Sequence, residues 1–119
     1  MAKTNFEKLD VYRLSEEIAD LIWDIVAGWP AFARDTVGKQ IVRAADSIGA
    51  NIAEGVGRGT HLDNKRFVRN GRGSLYETQH WLRRAYRRKL LKALKPLVDE
   101  LAPRLNAYLK SIGRFPEEE

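Results

Sequence analysis

The sequence predicts an all-α protein, an antiparallel up-down-up-down four-helix bundle, and three observations predict it. Apolar residues recur at helical spacing in four successive stretches, and no stretch alternates like a strand. Glycine and proline fall between those stretches, where they end one helix and start the next. The connections are short, which makes sequential helices antiparallel neighbours. A chain of 119 residues suffices for one packed core and not two, so residues 1–119 form a single domain. Its 44% hydrophobic and 31% charged content is that of a folded chain rather than a disordered one.

The first helix spans about residues 10–28. Asp10 is its expected N-cap, and Pro30 forbids much continuation beyond Gly28. Val11, Leu14, Ile18, Leu21, Ile22, Ile25 and Val26 share its inner side, while Glu16, Glu17, Asp20 and Asp24 gather on the outer one. The second helix runs over about 36–57 with Asp35 as cap. The third covers about 60–91, with Thr60 and Asp63 as a capping pair. Pro96 suits the first turn of a fourth helix over about 95–112, and Gly113 its stop; an acidic tail follows at 115–119.

The second helix has no obviously solvated side. At 100° per residue, Val37, Ile41, Ala44, Ala45, Ile48, Ile52 and Val56 share one face. Gln40, Arg43, Ser47, Asn51, Glu54 and Arg58 form a polar seam beside it, and Gly49, Ala53 and Gly57 make a third, small-residue side. An internal glycine costs about 1 kcal/mol relative to alanine. Close approach of another backbone would justify that cost, so Gly49, Ala53 and Gly57 are expected at an interface between subunits. The alternative is tight packing inside one chain. Gln40, Arg43, Ser47, Asn51 and Glu54 are expected to form a hydrogen-bond network that fixes register between helices.

Charge is distributed unevenly. Residues 1–57 carry six basic and nine acidic side chains, whereas residues 58–114 carry fifteen and four; the whole chain is +5. Such a basic block points to a polyanion partner, or more blandly to a solvated surface. On the third helix the inner stripe is Phe67, Gly71, Ser74, Thr78, Leu82 and Ala85, flanked by Leu75. Lys65, Arg66, Arg69, Arg72, Arg83, Arg84 and Arg87 lie roughly opposite, and Arg88 extends the row. Guanidinium groups bind phosphate in bidentate fashion and stack on bases. Tyr76 and His80 interrupt the row and suit stacking on unpaired bases, which favours RNA over DNA.

Other chemistries find no support in the residues. Cysteine is absent, which excludes disulfides, thiol nucleophiles and thiolate metal sites. His61 and His80, the two histidines, lack paired-ligand spacing, so no metal and no cofactor is expected. Gly55-Val56-Gly57-Arg58-Gly59 follows a helix rather than a strand and lacks the Lys-Ser/Thr ending of a phosphate-binding loop. Glu54 has no nucleophile beside it, so no catalytic residue is assigned. Tyr12, Trp23, Trp29 and Trp81 read as core or interface anchors. Neither a membrane span nor a leader is evident, which makes the cytoplasm the expected location.

Three segments carry a family resemblance: Phe6-Glu7-Lys8-Leu9-Asp10-Val11-Tyr12, the stretch from Gln40 to Gly55 (QIVRAADSIGANIAEG), and Gly73-Ser74-Leu75-Tyr76-Glu77. Together they resemble the bacterial four helix bundle proteins, also called ribosomal-RNA intervening-sequence proteins. The resemblance implies a homopentamer of four-helix protomers with no established enzymatic activity. A more distant branch, the accessory variability determinants of diversity-generating retroelements, is similar in fold; those pentamers bind nucleic acid and a reverse transcriptase. By position, the family signature falls on Gln40, Arg43, Ser47, Asn51, Glu54, Gly55, Gly73, Ser74 and Glu77. Arg69-Asn70-Gly71-Arg72 departs from it by being more basic.

Two functions therefore stand as expectations. One is a nonenzymatic oligomer that binds RNA or DNA phosphates through Lys65, Arg66, Arg69, Arg72, Tyr76, His80, Arg83, Arg84, Arg87 and Arg88. The other is a scaffold or accessory subunit whose cationic face docks a nucleic-acid enzyme. Neither involves a membrane.

Overall fold

A computed structural model describes residues 6–91, 103–104, 106–108 and 110, and every regular element among them is helical. A 3-10 turn (Phe6–Lys8) leads into α1 (Asp10–Ala27). One α-turn, α2 (Ala31–Ala33), passes through a π-helical segment (Arg34–Gly38) into α3 (Lys39–Val56), and α4 covers His61–Arg87. Residues 103–104, 106–108 and 110 are helical and fall within the expected fourth helix. The rest of that helix and the acidic segment 115–119 lie outside the described residues.

The helices pack as antiparallel neighbours in one core. Gly38 lies against Val26 and Gly49 against Tyr12 and Ser15, so α3 descends along α1. Gly55 lies against Asn64 and Phe67, and Gly71 against the Ile48 carbonyl, so α4 climbs back along α3. The core joins Val11, Leu14, Ile18, Ile22 and Val26 of α1 to Ile41, Ala45, Ile48 and Ile52 of α3 and to Val68, Leu75, Leu82 and Ala85 of α4. Leaving water stabilises each Val, Leu or Ile side chain among them by about 1.5–3 kcal/mol. Only α3 touches both of the other long helices; α1 and α4 lie on separate flanks, with no Cα pair between them within 8 Å.

Local chemistry explains the helix ends and corrects several expected boundaries. Leu9, not Asp10, occupies the N-cap of α1, and Asp10 pairs instead with Arg13 one turn on. Helical turns before α3 begin at Ala31, five residues before the expected Thr36. Pro30 supplies the break and a φ of −57°, which suits a helix start. Asp35 therefore caps nothing; it faces Arg34 at 3.7 Å, while Thr36 Oγ1 donates to the Phe32 carbonyl at 2.7 Å. The Thr60 hydroxyl does cap α4, accepting from the Asp63 N–H at 3.1 Å. The Asp63 carboxylate turns to Arg66 at 3.6 Å rather than completing the reciprocal cap.

At its far end α4 stops at Arg87, four residues before the expected Leu91. The Leu90 N–H reaches back to the Ala85 carbonyl and the Lys89 N–H to Tyr86, the two bonds of a Schellman stop. That motif requires a left-handed residue, and Lys89 takes the position with φ 63°. The expected inner stripe of α4 holds at Gly71, Thr78, Leu82 and Ala85 and shifts at two positions. Val68 and Leu75 are fully buried, whereas Phe67 and Ser74, expected inside, are only half-buried. Of the aromatic anchors, Trp29 is in the core, Tyr12 and Trp81 pack partly against it, and Trp23 is 61% exposed.

Candidate nucleic-acid interface

The buried residues of α4 (Val68, Gly71, Leu75, Thr78, Leu82, Ala85) occupy one side, so the 100° advance directs the arginines outward. Arg66, Arg69, Arg83, Arg87 and Arg88 are exposed, as are Tyr76 and His80. Lys65, Arg72 and Arg84 are half-buried at the edges of the row. A helix of 27 residues rises about 40 Å, so the cations line one continuous ridge.

Few of these charges are answered by carboxylates among the described residues. Arg66 is held at 3.6 Å from Asp63 and lies over the Phe67 ring at 5.1 Å. Arg72 turns sideways and donates to Asn106 Oδ1 at 3.0 Å, which ties α4 to the last helix. Arg69, Arg83, Arg84, Arg87 and Arg88 have no carboxylate partner among the described residues. Glu77, the remaining acidic residue on α4, accepts from Trp81 Nε1 at 3.2 Å. His80 meets the Trp81 ring edge-on at 4.9 Å, while Tyr76 is half exposed.

Sequence periodicity missed three features of this surface. Arg58 joins the lower end of the ridge, bound to Glu54 at 3.3 Å and stacked over Phe67 at 4.6 Å. Leu62 projects from the same side at 75% exposure. At mid-ridge Gly73 faces open space, so a ligand could approach the helix backbone closely there. The 100° arithmetic would have placed Leu62 and Gly73 on the outer side had apolar and small residues been projected along with the charged ones.

The α3 seam behaves differently from its expectation. Gln40, Arg43 and Glu54 are exposed, while Ser47 and Asn51 are half-buried. Their bonds stay inside the helix: Ser47 Oγ donates to the Arg43 carbonyl and Asn51 Nδ2 to the Ser47 carbonyl, both at 2.8 Å. No register-fixing network between helices forms among the described residues. Gly49 has close neighbours within the chain, as the alternative reading expects. A Cβ there would sit 2.8 Å from Ser15 Oγ and 3.5 Å from the Tyr12 ring, so α1 of the same chain covers it. Ala53 is half-buried, and Gly57 is the C-cap residue of α3.

Beside α3, the outer side of α1 is acidic. Glu16, Glu17, Asp20 and Asp24 are all exposed there. Glu16 and Asp20 share the walls of a hollow of about 310 Å³ with Asp46, Ala50 and Gly49 of α3. Partial burial and the neighbouring Asp20 raise the Asp46 pKa above its usual 3.8. A larger groove of about 440 Å³ at the α1–α3 end is lined by Trp23, Val26, Ala27 and Val42 and rimmed by Arg34, Lys39 and Arg43. Among the described residues no group of three or more His, Asp or Glu side chains could hold a metal ion. None of their helices is long and apolar enough to cross a membrane.

Comparison with known proteins gives two findings. The family described as 23S rRNA-intervening sequence protein matches the chain over residues 7–112. The fold is similar to the crystal structure of a protein of unknown function from the S23 ribosomal protein family of Bacteroides thetaiotaomicron. The TM-score is 0.65 at 24% identity, over 88% of this chain and 99% of that one. No curated protein matches.

Proposed function

The chain belongs to the 23S rRNA-intervening sequence protein family, and we propose that it is a nonenzymatic, oligomeric nucleic-acid-binding protein that holds RNA phosphates on the α4 ridge. The observation that carries this reading is the row of outward arginines without carboxylate partners among the described residues, Arg69, Arg83, Arg84, Arg87 and Arg88, along a helix about 40 Å long. Like charges in such a row repel one another, and phosphates placed along it relieve that repulsion. The exposed Tyr76 and His80 interrupt the row with faces on which unpaired bases can stack. Looped or single-stranded RNA suits this arrangement better than uniform duplex, whose bases are not available for stacking. The subunit number proposed is five, as the family resemblance implies.

The test is the salt dependence of binding to an unstructured RNA oligonucleotide. Neutralising one phosphate-binding arginine should lessen the slope of log K against log salt by about 0.7 on a single strand. Arg69→Gln, Arg83→Gln and Arg87→Gln together should therefore remove about 2 from the slope, with the helical content unchanged. A slope near zero for the intact protein refutes the reading.

A further inference from the structure

A groove runs between α1 and α3, and its two halves carry opposite charge. The upper hollow, about 440 Å³, has a floor of Trp23, Val26 and Val42 and a rim of Arg34, Lys39 and Arg43, with Asp35 beside Arg34. The lower hollow, about 310 Å³, begins within one turn of it along the same two helices. Ala19, Ala45 and Ala50 line it between Glu16, Asp20 and Asp46. Lys39, Arg43, Asp20 and Asp46 have no ion-pair partner among the described residues. Trp23 is mostly exposed over the upper floor, apolar area that water does not favour.

The fold turns this groove away from α4. On α3, Val42 and Asp46 of the groove lie about 180° from Asn51 and Gly55, which face α4. Among the described residues only α1, α3 and the π-helical segment line it. The last helix, where described, is tied to α4 through Asn106 and Arg72. The π-helical segment shapes the same surface. In an uninterrupted helix Arg34 would stand about 20° from Ile41, on the core side. The extra residue of a π turn rotates it by about 100° toward Val42, and Arg34 accordingly lines the groove with its side chain exposed. Such turns frequently mark functional sites.

From this we infer that the groove docks an amphipathic α-helix of another protein, acidic along one half of its length and basic along the other. Two antiparallel helices leave a furrow that a third helix fills with its apolar side. Lys39 and Arg43 are one turn apart, about 6 Å, and so are Glu16 and Asp20. That step matches side chains at i and i+4 on the incoming helix. Its carboxylates meet the first pair and its ammonium or guanidinium groups the second. From Arg34 to Ala50 the furrow runs about 24 Å, which a helix of about 16 residues spans. A second copy of this chain fits less well. Its α1 presents mostly carboxylates and its α4 mostly arginines, whereas the same groove turned end for end matches in charge but opposes hollow to hollow. This surface lies apart from the α4 ridge and serves a partner other than RNA.

Synthetic peptides of about 16 residues test it. Two share one composition, with leucines at i, i+3, i+4 and i+7. In the first, glutamates fill one half of the polar side and lysines the other; in the second the two alternate. Binding to the full chain is read by fluorescence anisotropy of a labelled peptide, folding by circular dichroism and mass by light scattering. The charge-segregated peptide should bind about tenfold or more tightly than the alternating one. Trp23→Ala, at an exposed position, should weaken it by about tenfold or more, with fold and mass unchanged. Lys39→Glu combined with Arg43→Glu makes the groove acidic at both ends. That variant should lose the segregated peptide and prefer a third one whose charges are all lysine. Equal affinity for the segregated and alternating peptides, or undiminished binding by either folded variant, overturns the docking site. So does a wild type that binds neither peptide, as when a second copy already fills the groove.

Discussion

Replacing Gly49 with alanine separates two explanations of the same residue. Its added Cβ would lie 2.8 Å from Ser15 Oγ, where ordinary contact begins near 3.4 Å, so the helices must part or the hydroxyl must move by about 0.6 Å. Ser15 is 1% exposed, and its hydroxyl is held by a 2.6 Å bond to the Tyr12 carbonyl, which restrains the easy escape. Overpacking of a tight core costs about 1–3 kcal/mol. Alanine offsets about 1 kcal/mol of this through its better helix propensity. The net expectation is a loss of about 1 kcal/mol, read as a fall of roughly 0.5 M in the urea midpoint at fixed protein concentration. Ser15→Ala removes the opposing oxygen, so the double variant should recover the loss, with a coupling of about 1–2 kcal/mol. The mass of the particle should not change in any of the three. A gain of stability in Gly49→Ala accompanied by a smaller particle would show that the glycine faces another subunit, and would refute α1 as the reason for it.

Two further substitutions test local claims. Lys89→Gly should stabilise the fold by about 0.5–1 kcal/mol by thermal or urea unfolding, because glycine adopts the required φ of 63° without the steric penalty of a side chain. Asp46→Asn should stabilise the protein at neutral pH. Burial and Asp20 raise the folded pKa of Asp46, so the folded state binds its proton more tightly than the unfolded one does. The stability associated with that proton is present below the unfolded value of 3.8 and is lost as pH rises through the raised folded value. The asparagine variant should lack that part of the pH dependence. Identical pH dependence of unfolding in the two proteins as pH rises above 3.8 would contradict the assignment.

The fold was legible wherever one periodic signal acted alone. α1 shows this best: Val11, Leu14, Ile18, Ile22 and Val26 of the stripe read from spacing are buried, Leu21 and Ile25 are half-buried at its edge, and the helix ends at the Gly28–Pro30 break. Boundaries failed where backbone bonding competed with side-chain cues. Asp35 resembles a cap, but Pro30 had already started the helix, and a π-helical segment then absorbed the change in register. Leu91 looks like a helical residue because it is apolar and buried, yet the Lys89 stop places it beyond the helix.

The site was legible to a different extent. The outward arginines followed directly from the 100° advance, because charge and burial exclude each other on a surface helix. The meaning of glycine did not follow. Gly49 and Gly73 are both helical and internal, yet one is pressed against Tyr12 and Ser15 while the other faces open space. A one-dimensional pattern reports that a side chain is missing, and it takes the neighbouring helix to say what occupies its place.

Charge conservation decides whether self-assembly and polyanion binding can coexist. Were the chain to assemble with copies of itself, the formal charge of each copy would remain +5. An oligomer of n copies would therefore carry n times that charge. Repetition of α4 ridges at fixed spacing lets one RNA engage several at once, and each added contact acts at the high effective concentration set by the first. On the proposed function, self-assembly would thus strengthen the hold of the whole particle on a long polyanion without any new contact between protein and phosphate.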